Sequence, residues 1–97
     1  MALLSVIIPV YNEVSTIGEI LDKISSVSID KEIIVVDDGS CDGTDRILRK
    51  MQFEALKIIH HSSTRGKGAA VLTGLSHASG EYVIVQDADL EYDPMTT

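Results

Sequence analysis

The chain has 97 residues, 44% of them hydrophobic and 24% charged, which suffices for one small globular domain. A net charge of −7 argues against a nucleic-acid partner, because phosphate backbones are held mainly by excess Lys and Arg. No apolar run approaches the roughly 18 residues of a membrane span, no basic flank marks a signal sequence, and the lone Cys41 excludes an internal disulfide and fits a reducing, cytoplasmic compartment.

In chain order, residues 4–9 (LSVIIP) read as a first strand, ended by Pro9 and followed by Val10-Tyr11-Asn12-Glu13. Val14, Ile17, Leu21 and Ile24 then recur at helical spacing and predict an amphipathic helix. Residues 32–37 (EIIVVD) form a second strand, in which Ile33 to Val36 are apolar without alternation, as in a strand covered on both faces. Past the Asp42–Asp45 turn, Ile47, Leu48 and Met51 mark a second helix, and residues 56–60 (LKIIH) a third strand. Thr64-Arg65-Gly66-Lys67-Gly68-Ala69-Ala70 opens a third helix with Val71, Leu75 and Ala78 as its apolar line and Gly80 as a left-handed stop. Residues 81–87 (EYVIVQD) are the fourth strand.

This β-α-β-α-β-α-β order predicts a Rossmann-like, three-layer α/β/α fold with a parallel sheet and right-handed crossovers. The usual strand order in doubly wound sheets is 3-2-1-4, and ligands sit beyond the carboxyl ends of the strands. Those ends carry clusters of polar groups: Tyr11-Asn12-Glu13, Asp37-Asp38-Gly39-Ser40, His60 to Gly68, and Asp87-Ala88-Asp89.

In extended backbone, residues two apart share a side, so Asp87, Asp89 and Glu91 point one way while Ala88 and Leu90 turn away. Converging carboxylates with no basic neighbour in sequence invite a hard divalent cation, Mg²⁺ or Mn²⁺, or else form a loop of solvated acids. Alternation sends Asp37 and Asp38 in opposite directions, one to the backbone amides of the following turn and the other toward a ligand, unless both are turn residues. Arg65 and Lys67 either meet a diphosphate at this glycine-bearing helix start or are solvated cations at a flexible helix entry, and the loop is neither a P-loop nor the dinucleotide fingerprint. Adjacent His60 and His61 face opposite ways and read as surface residues. Tyr11 offers a ring face for a base, and Glu13 an acceptor for ribose or base, or each is a packing and capping residue of the strand end.

The ordered set Ser5-Val6-Ile7-Ile8-Pro9-Val10-Tyr11-Asn12-Glu13, Val35-Val36-Asp37-Asp38-Gly39-Ser40 with Asp42-Gly43-Thr44, Gly66-Lys67-Gly68-Ala69 and Asp87-Ala88-Asp89 resembles the family 2 glycosyltransferases of the GT-A fold. The resemblance runs from about Leu4 to Pro94, and Asp87-Ala88-Asp89-Leu90-Glu91-Tyr92-Asp93-Pro94 is most similar to the dolichyl- or polyprenyl-phosphate mannosyl- and glucosyltransferase branch. It implies that Pro9, Tyr11, Glu13, Val36 and Asp38 surround the nucleotide, with Asp38 at the base edge. It implies further that Lys67, Asp87, Ala88 and Asp89 bind the nucleotide sugar, and that Asp87, Asp89 and Glu91 face a Mg²⁺ or Mn²⁺ ion. Thr64 stands where many relatives carry Asn, and Leu72 where many carry Arg or Lys.

On this reading residues 1–97 are the nucleotide-sugar-binding part of a longer enzyme, whose acceptor half and catalytic base lie elsewhere. The expected reaction is inverting transfer from a GDP- or UDP-sugar to a lipid phosphate at the cytoplasmic face of a membrane, with the fragment inactive alone. A sugar nucleotidyltransferase is the rival enzyme class, disfavoured because Tyr11-Asn12-Glu13 stands where its glycine-rich basic loop would follow the first strand. A non-enzymatic module that self-associates through exposed apolar faces is the rival outside enzymology.

Overall fold

The computed structural model describes residues 2–51 and 53–88. Seven elements follow in order: β1 (Leu4–Val10), α1 (Ile17–Ser25), β2 (Lys31–Asp37), α2 (Thr44–Lys50), β3 (Leu56–His60), α3 (Lys67–His77) and β4 (Tyr82–Val85). The sheet is parallel throughout, in the order β3-β2-β1-β4 that is usual in doubly wound sheets. Ile7 pairs with Ile34 on one side and Val85 on the other, so the apolar centres of the strands are in register.

Alternation divides the strand side chains between two layers. Val6, Ile8 and Val10 join Ile33 and Val35 under Ile17, Ile20 and Leu21 of α1 and Leu48 of α2. Ile34 and Val36 face the opposite way and meet Ala70 of α3. Ile33 to Val36 are wholly buried, as a run without alternation requires. No helix among the described residues is long and apolar enough to cross a membrane.

Four local expectations are corrected. Val14 lies before α1 and is exposed, so the helix buries Ile17, Ile20 and Leu21 instead of a stripe starting at 14. In α3 the inward residues are Ala70 and Gly74, whereas Leu75 is exposed and Leu72 is 68% exposed. A Cβ at position 74 would lie 2.5 Å from Cγ2 of Ile7, so the helix sits on the sheet at a distance only a hydrogen permits. Gly80 is not left-handed, and its requirement is space: a Cβ there would meet the Ser5 amide nitrogen at 2.7 Å. β4 also ends at Val85, before the expected Asp87, and Tyr82 to Val85 are exposed on this outer strand.

At the amino end of the sheet a buried acid ties four segments together. Glu32 Oε2 accepts from Ser5 Oγ at 2.6 Å, from the Ser79 amide at 2.6 Å and from Ser79 Oγ at 2.9 Å. Oε1 lies 3.2 Å from Lys57 Nζ on β3, and Ser5 Oγ accepts from the Gly80 amide. Burial alone would raise the Glu32 pKa, but the donors of Ser5, Ser79 and Lys57 outweigh it and bring it from 4.5 to about 2. A depressed carboxyl contributes stability that is complete above its unfolded value and lost as pH falls through its folded one. Unfolding free energy should therefore drop by about 2 kcal/mol between pH 4.5 and 2 on account of Glu32, after allowance for solvent around Lys57. Urea titrations across that range should show a flatter pH profile for Glu32→Gln than for the wild type; parallel profiles would refute the assignment.

Candidate functional site

The carboxyl ends of β1, β2 and β4 and the start of α3 meet on one edge, where side-chain-to-backbone bonds stitch the loops together. Asn12, at a left-handed φ of 53°, accepts from the Cys41 amide through Oδ1 at 2.9 Å, and its own amide donates to Ser40 Oγ at 2.9 Å. The Glu13 amide donates to Thr44 Oγ1 at 3.0 Å, and the Val14 amide to Asp42 Oδ2 at 3.2 Å. Thr16 Oγ1 donates to the Ala88 carbonyl at 2.9 Å, fixing the turn after β4 against the start of α1. The loop after β1 thereby becomes a wall attached to both neighbouring strand ends.

Asp37 and Asp38 divide their work as alternation requires. Asp37 Oδ1 accepts from the Ser40 amide at 3.1 Å, within its own turn, and Oδ2 lies 3.1 Å from His60 Nδ1. Asp38 turns the other way and reaches across the sheet. Its Oδ1 accepts from the Arg65 amide at 2.9 Å and lies 2.8 Å from His61 Nδ1, while Oδ2 accepts from the Gly66 amide at 2.9 Å. Thr64 Oγ1 donates to the Asp38 carbonyl at 3.0 Å. Burial pushes the Asp38 pKa up, but the bonds from His61, Arg65 and Gly66 outweigh it and hold the carboxyl below its ordinary range. Three of its roughly four lone-pair positions are used, leaving one on Oδ2.

His61 is a correction. Expected on the surface, it is 8% exposed and hydrogen-bonded through both ring nitrogens, the second to Thr73 Oγ1 at 2.9 Å. His60 is exposed, and the pair does face opposite ways. Asp87, expected to have no basic neighbour, pairs with the Lys67 ammonium from the first turn of α3.

These features enclose a cavity of about 240 Å³. Pro9, Val10, Tyr11 and Glu13 line it from the first loop, and Asp38, Lys67, Ala70, Asp87 and Ala88 from the other strand ends and α3. Of the residues singled out from the sequence, Val36 is wholly buried in β2 and does not line the cavity; Asp89 and Glu91 lie outside the described residues. Tyr11 is half exposed, leaving ring surface for a planar ligand. Thr16 and Thr73 shape the site without having stood out in the sequence, and Asn12 and His61 do so through bonds to residues distant in the chain. Thr16 stands at the start of α1, but its side chain makes no cap bond to the helix and goes to the Ala88 carbonyl instead.

The donor set suits a hard cation. Asp87 presents a half-buried carboxylate on the cavity wall and already takes a cation there, the Lys67 ammonium. Among the described residues no three His, Cys, Asp or Glu side chains gather to hold a metal ion, and Asp87 is the one of the three expected ligands that the described residues include. Mg²⁺ and Mn²⁺ sites of this class use one or two carboxylates and take the remaining ligands from water and phosphate.

A family model described as "Glycosyl transferase family 2" matches residues 5–97. The dolichol-phosphate mannosyltransferase of Pyrococcus furiosus is 37% identical over 93 residues, covering 93% of this chain and 26% of the relative. Among solved structures, the mannosyltransferase PcManGT from Pyrobaculum calidifontis, in complex with GDP-Man and Mn²⁺, superposes with a TM-score of 0.84 at 38% identity, over 91% of this chain and 28% of that one. TarS 1-349 of S. aureus, in complex with UDP, gives 0.83 at 33% identity, over 89% and 27%. The chain thus spans 26–28% of the length of these relatives.

The Asp38 network makes a stability prediction independent of any ligand. Asp38→Ala leaves the His61 ring and the Arg65 and Gly66 amides without their acceptor and should cost about 3 kcal/mol. Chemical denaturation followed by circular dichroism measures it, and a loss under about 0.5 kcal/mol, the level of an ordinary surface change, would show that the carboxylate does not hold this edge together.

Proposed function

The chain belongs to glycosyl transferase family 2, and on that premise we propose that it is the donor-binding region of a glycosyltransferase, taking a nucleotide-diphosphate sugar together with Mg²⁺ or Mn²⁺. The observation that carries this reading is the cavity at the carboxyl strand ends, whose wall combines an aromatic face, carboxylates and one lysine. The similarity to proteins solved with GDP-Man and Mn²⁺ and with UDP supports the ligand class.

In this reading the base stacks on the Tyr11 ring, with Asp38 Oδ2 offering its remaining lone pair to a base N–H and Glu13 accepting from ribose. Pro9 and Ala88 complete the walls, and Val36 supports them from within β2. Lys67 swings from Asp87 to the diphosphate, where its ammonium neutralises charge on the leaving group. Asp87, with Asp89 and Glu91, holds the divalent ion. When bound, that ion supplies Lewis-acid stabilisation of the diphosphate. We place the reaction at the cytoplasmic face of a membrane, and the acceptor is a lipid phosphate, consistent with the name of the Pyrococcus relative. Being anionic already, it needs little help from a base to attack the anomeric carbon from the face opposite the diphosphate, inverting that centre. Residues 1–97 bind the donor without completing transfer, in keeping with the share of the relatives' length that they span.

Calorimetric titration of the chain with GDP and with UDP, with and without Mn²⁺, tests this. Binding of one nucleotide should strengthen at least tenfold with Mn²⁺, and Asp87→Asn should remove most of that gain, each tenfold step being about 1.4 kcal/mol. A folded chain that gives no metal-dependent heat with either nucleotide would sink the proposal.

The exposed β4 favours a second property, self-association of this chain. Val83, Ile84 and Val85 are 40–47% exposed on an outer strand whose far edge has no partner among the described residues. Sedimentation velocity should show concentration-dependent association that Val83→Lys with Val85→Lys suppresses; a monomer at high concentration removes this property and leaves the donor site untouched.

A further inference from the structure

We infer that His61 is a positioning residue of the donor site: through Asp38 it holds the Arg65–Gly66 backbone, and with it the start of α3 that presents Lys67 to the cavity. The inference rests on the donor-site reading for its functional half, while its structural half stands on hydrogen bonds alone.

A neutral imidazole has one donor and one acceptor. Asp38, ionised and already accepting from two backbone amides, can only accept, so His61 Nδ1 carries the hydrogen at 2.8 Å from Oδ1. In the neutral ring the other nitrogen, Nε2, then accepts from the Thr73 hydroxyl at 2.9 Å. A ring held between an acceptor on one element and a donor on another has a fixed tautomer and a fixed plane. Here the acceptor follows β2 and the donor lies in the second turn of α3, so the ring braces helix against sheet.

What the brace holds is specific. Oδ1 is shared between His61 and the Arg65 amide, and Oδ2 takes the Gly66 amide. Those amides belong to the two residues before α3, and Gly66 has a φ of 98°, a conformation that side-chain-bearing residues rarely adopt. This turn sets the direction in which Lys67 leaves the backbone, and Lys67 is the cation that meets Asp87 across the cavity. Remove the ring and Asp38 keeps two amides but loses the partner that fixes its orientation, and Thr73 loses its acceptor. His61 itself does not line the cavity, so its effect on a ligand passes through Asp38.

Two substitutions separate this from a general packing role. Asn places its amide nitrogen where Nδ1 stands and keeps the bond to Asp38; Gln places its amide where Nε2 stands and keeps only Thr73. In the Mn²⁺–nucleotide titration, with whichever of GDP and UDP the wild type binds, His61→Asn should stay within about threefold of the wild-type Kd. His61→Gln should weaken binding by about tenfold, the usual consequence of losing a hydrogen bond to a charged group. Hydrogen exchange at the Arg65 and Gly66 amides should accelerate about tenfold in His61→Gln and remain near wild type in His61→Asn. Equal losses in both variants, or none in either, would overturn the inference. The wild-type chain supplies a further check that needs no variant to fold: long-range ¹H–¹⁵N spectra should show His61 protonated at Nδ1 and bare at Nε2, and the opposite tautomer would overturn it. A wild type that binds neither nucleotide removes the donor reading, while the ring-nitrogen and amide-exchange results still decide the Asp38 link on their own.

Discussion

Helix α3 is gripped at both ends by carboxylates of the β2 segment, and the candidate site depends on that grip. Glu32, second in β2, accepts from the Ser79 amide just past the helix. Asp38, immediately after β2, accepts from the Arg65 and Gly66 amides just before it. A buried carboxylate is costly to desolvate unless several donors meet it, and each of these has at least three. The grip matters because the helix has little else. Its buried residues are Ala70 and Gly74, whose apolar area is small, so burial alone gives only a modest driving force and no preferred position along the sheet. Gly74 lets the helix come close and the two acids fix where it stops.

The two ends then serve different purposes. At the Glu32 end the donors are two serines and the half-exposed Lys57, and they tie the acid to β1, β3 and the end of α3. At the Asp38 end the same device holds a turn from which Lys67 projects into a cavity. The opposite wall is built by another economy of the same kind: Asn12, Thr16 and Thr44 spend side-chain groups on backbone partners in neighbouring loops. Backbone groups beyond a strand end have no ladder to satisfy them, so these bonds both meet that need and give the loops one shape.

The fold was legible because its signals are local and apolar. Ile33 to Val36 without alternation announce a covered parallel strand, and the regular exchange of strand and helix patterns fixes the topology class. The misreadings have a common cause. Hydrophobic periodicity weighs large side chains, so Val71 and Leu75 drew attention in α3, whereas the helix approaches the sheet through Ala70 and Gly74. Periodicity says nothing about bonds between residues distant in sequence, so a histidine joined to an acid 23 positions away looked like one of two surface residues. The cavity's membership was readable as clusters at successive strand ends. The Lys67–Asp87 pair was not, because no spacing rule relates residues that the fold alone makes neighbours.

Charge explains why a chain of net charge −7 is a credible home for an anionic ligand. The cavity wall carries Glu13, Asp38 and Asp87 against the single cation of Lys67. Asp38 is the acid whose charge is spent internally, on two amides and a histidine ring, so its field is directed into the α3 turn more than into the cavity. Asp87 is neutralised by Lys67 as the chain stands. If Lys67 leaves Asp87 for a diphosphate, it uncovers an acid beside an anion, an arrangement that Coulomb repulsion in a partly dehydrated cleft penalises by several kcal/mol. The divalent ion of the proposed function would offset that penalty by supplying positive charge beside Asp87. The acidity of the wall and the anionic character of the proposed ligand are therefore not in conflict. In that reading the acids set a requirement for a cation that the ligand would share, and in the unliganded chain Lys67 meets it at Asp87.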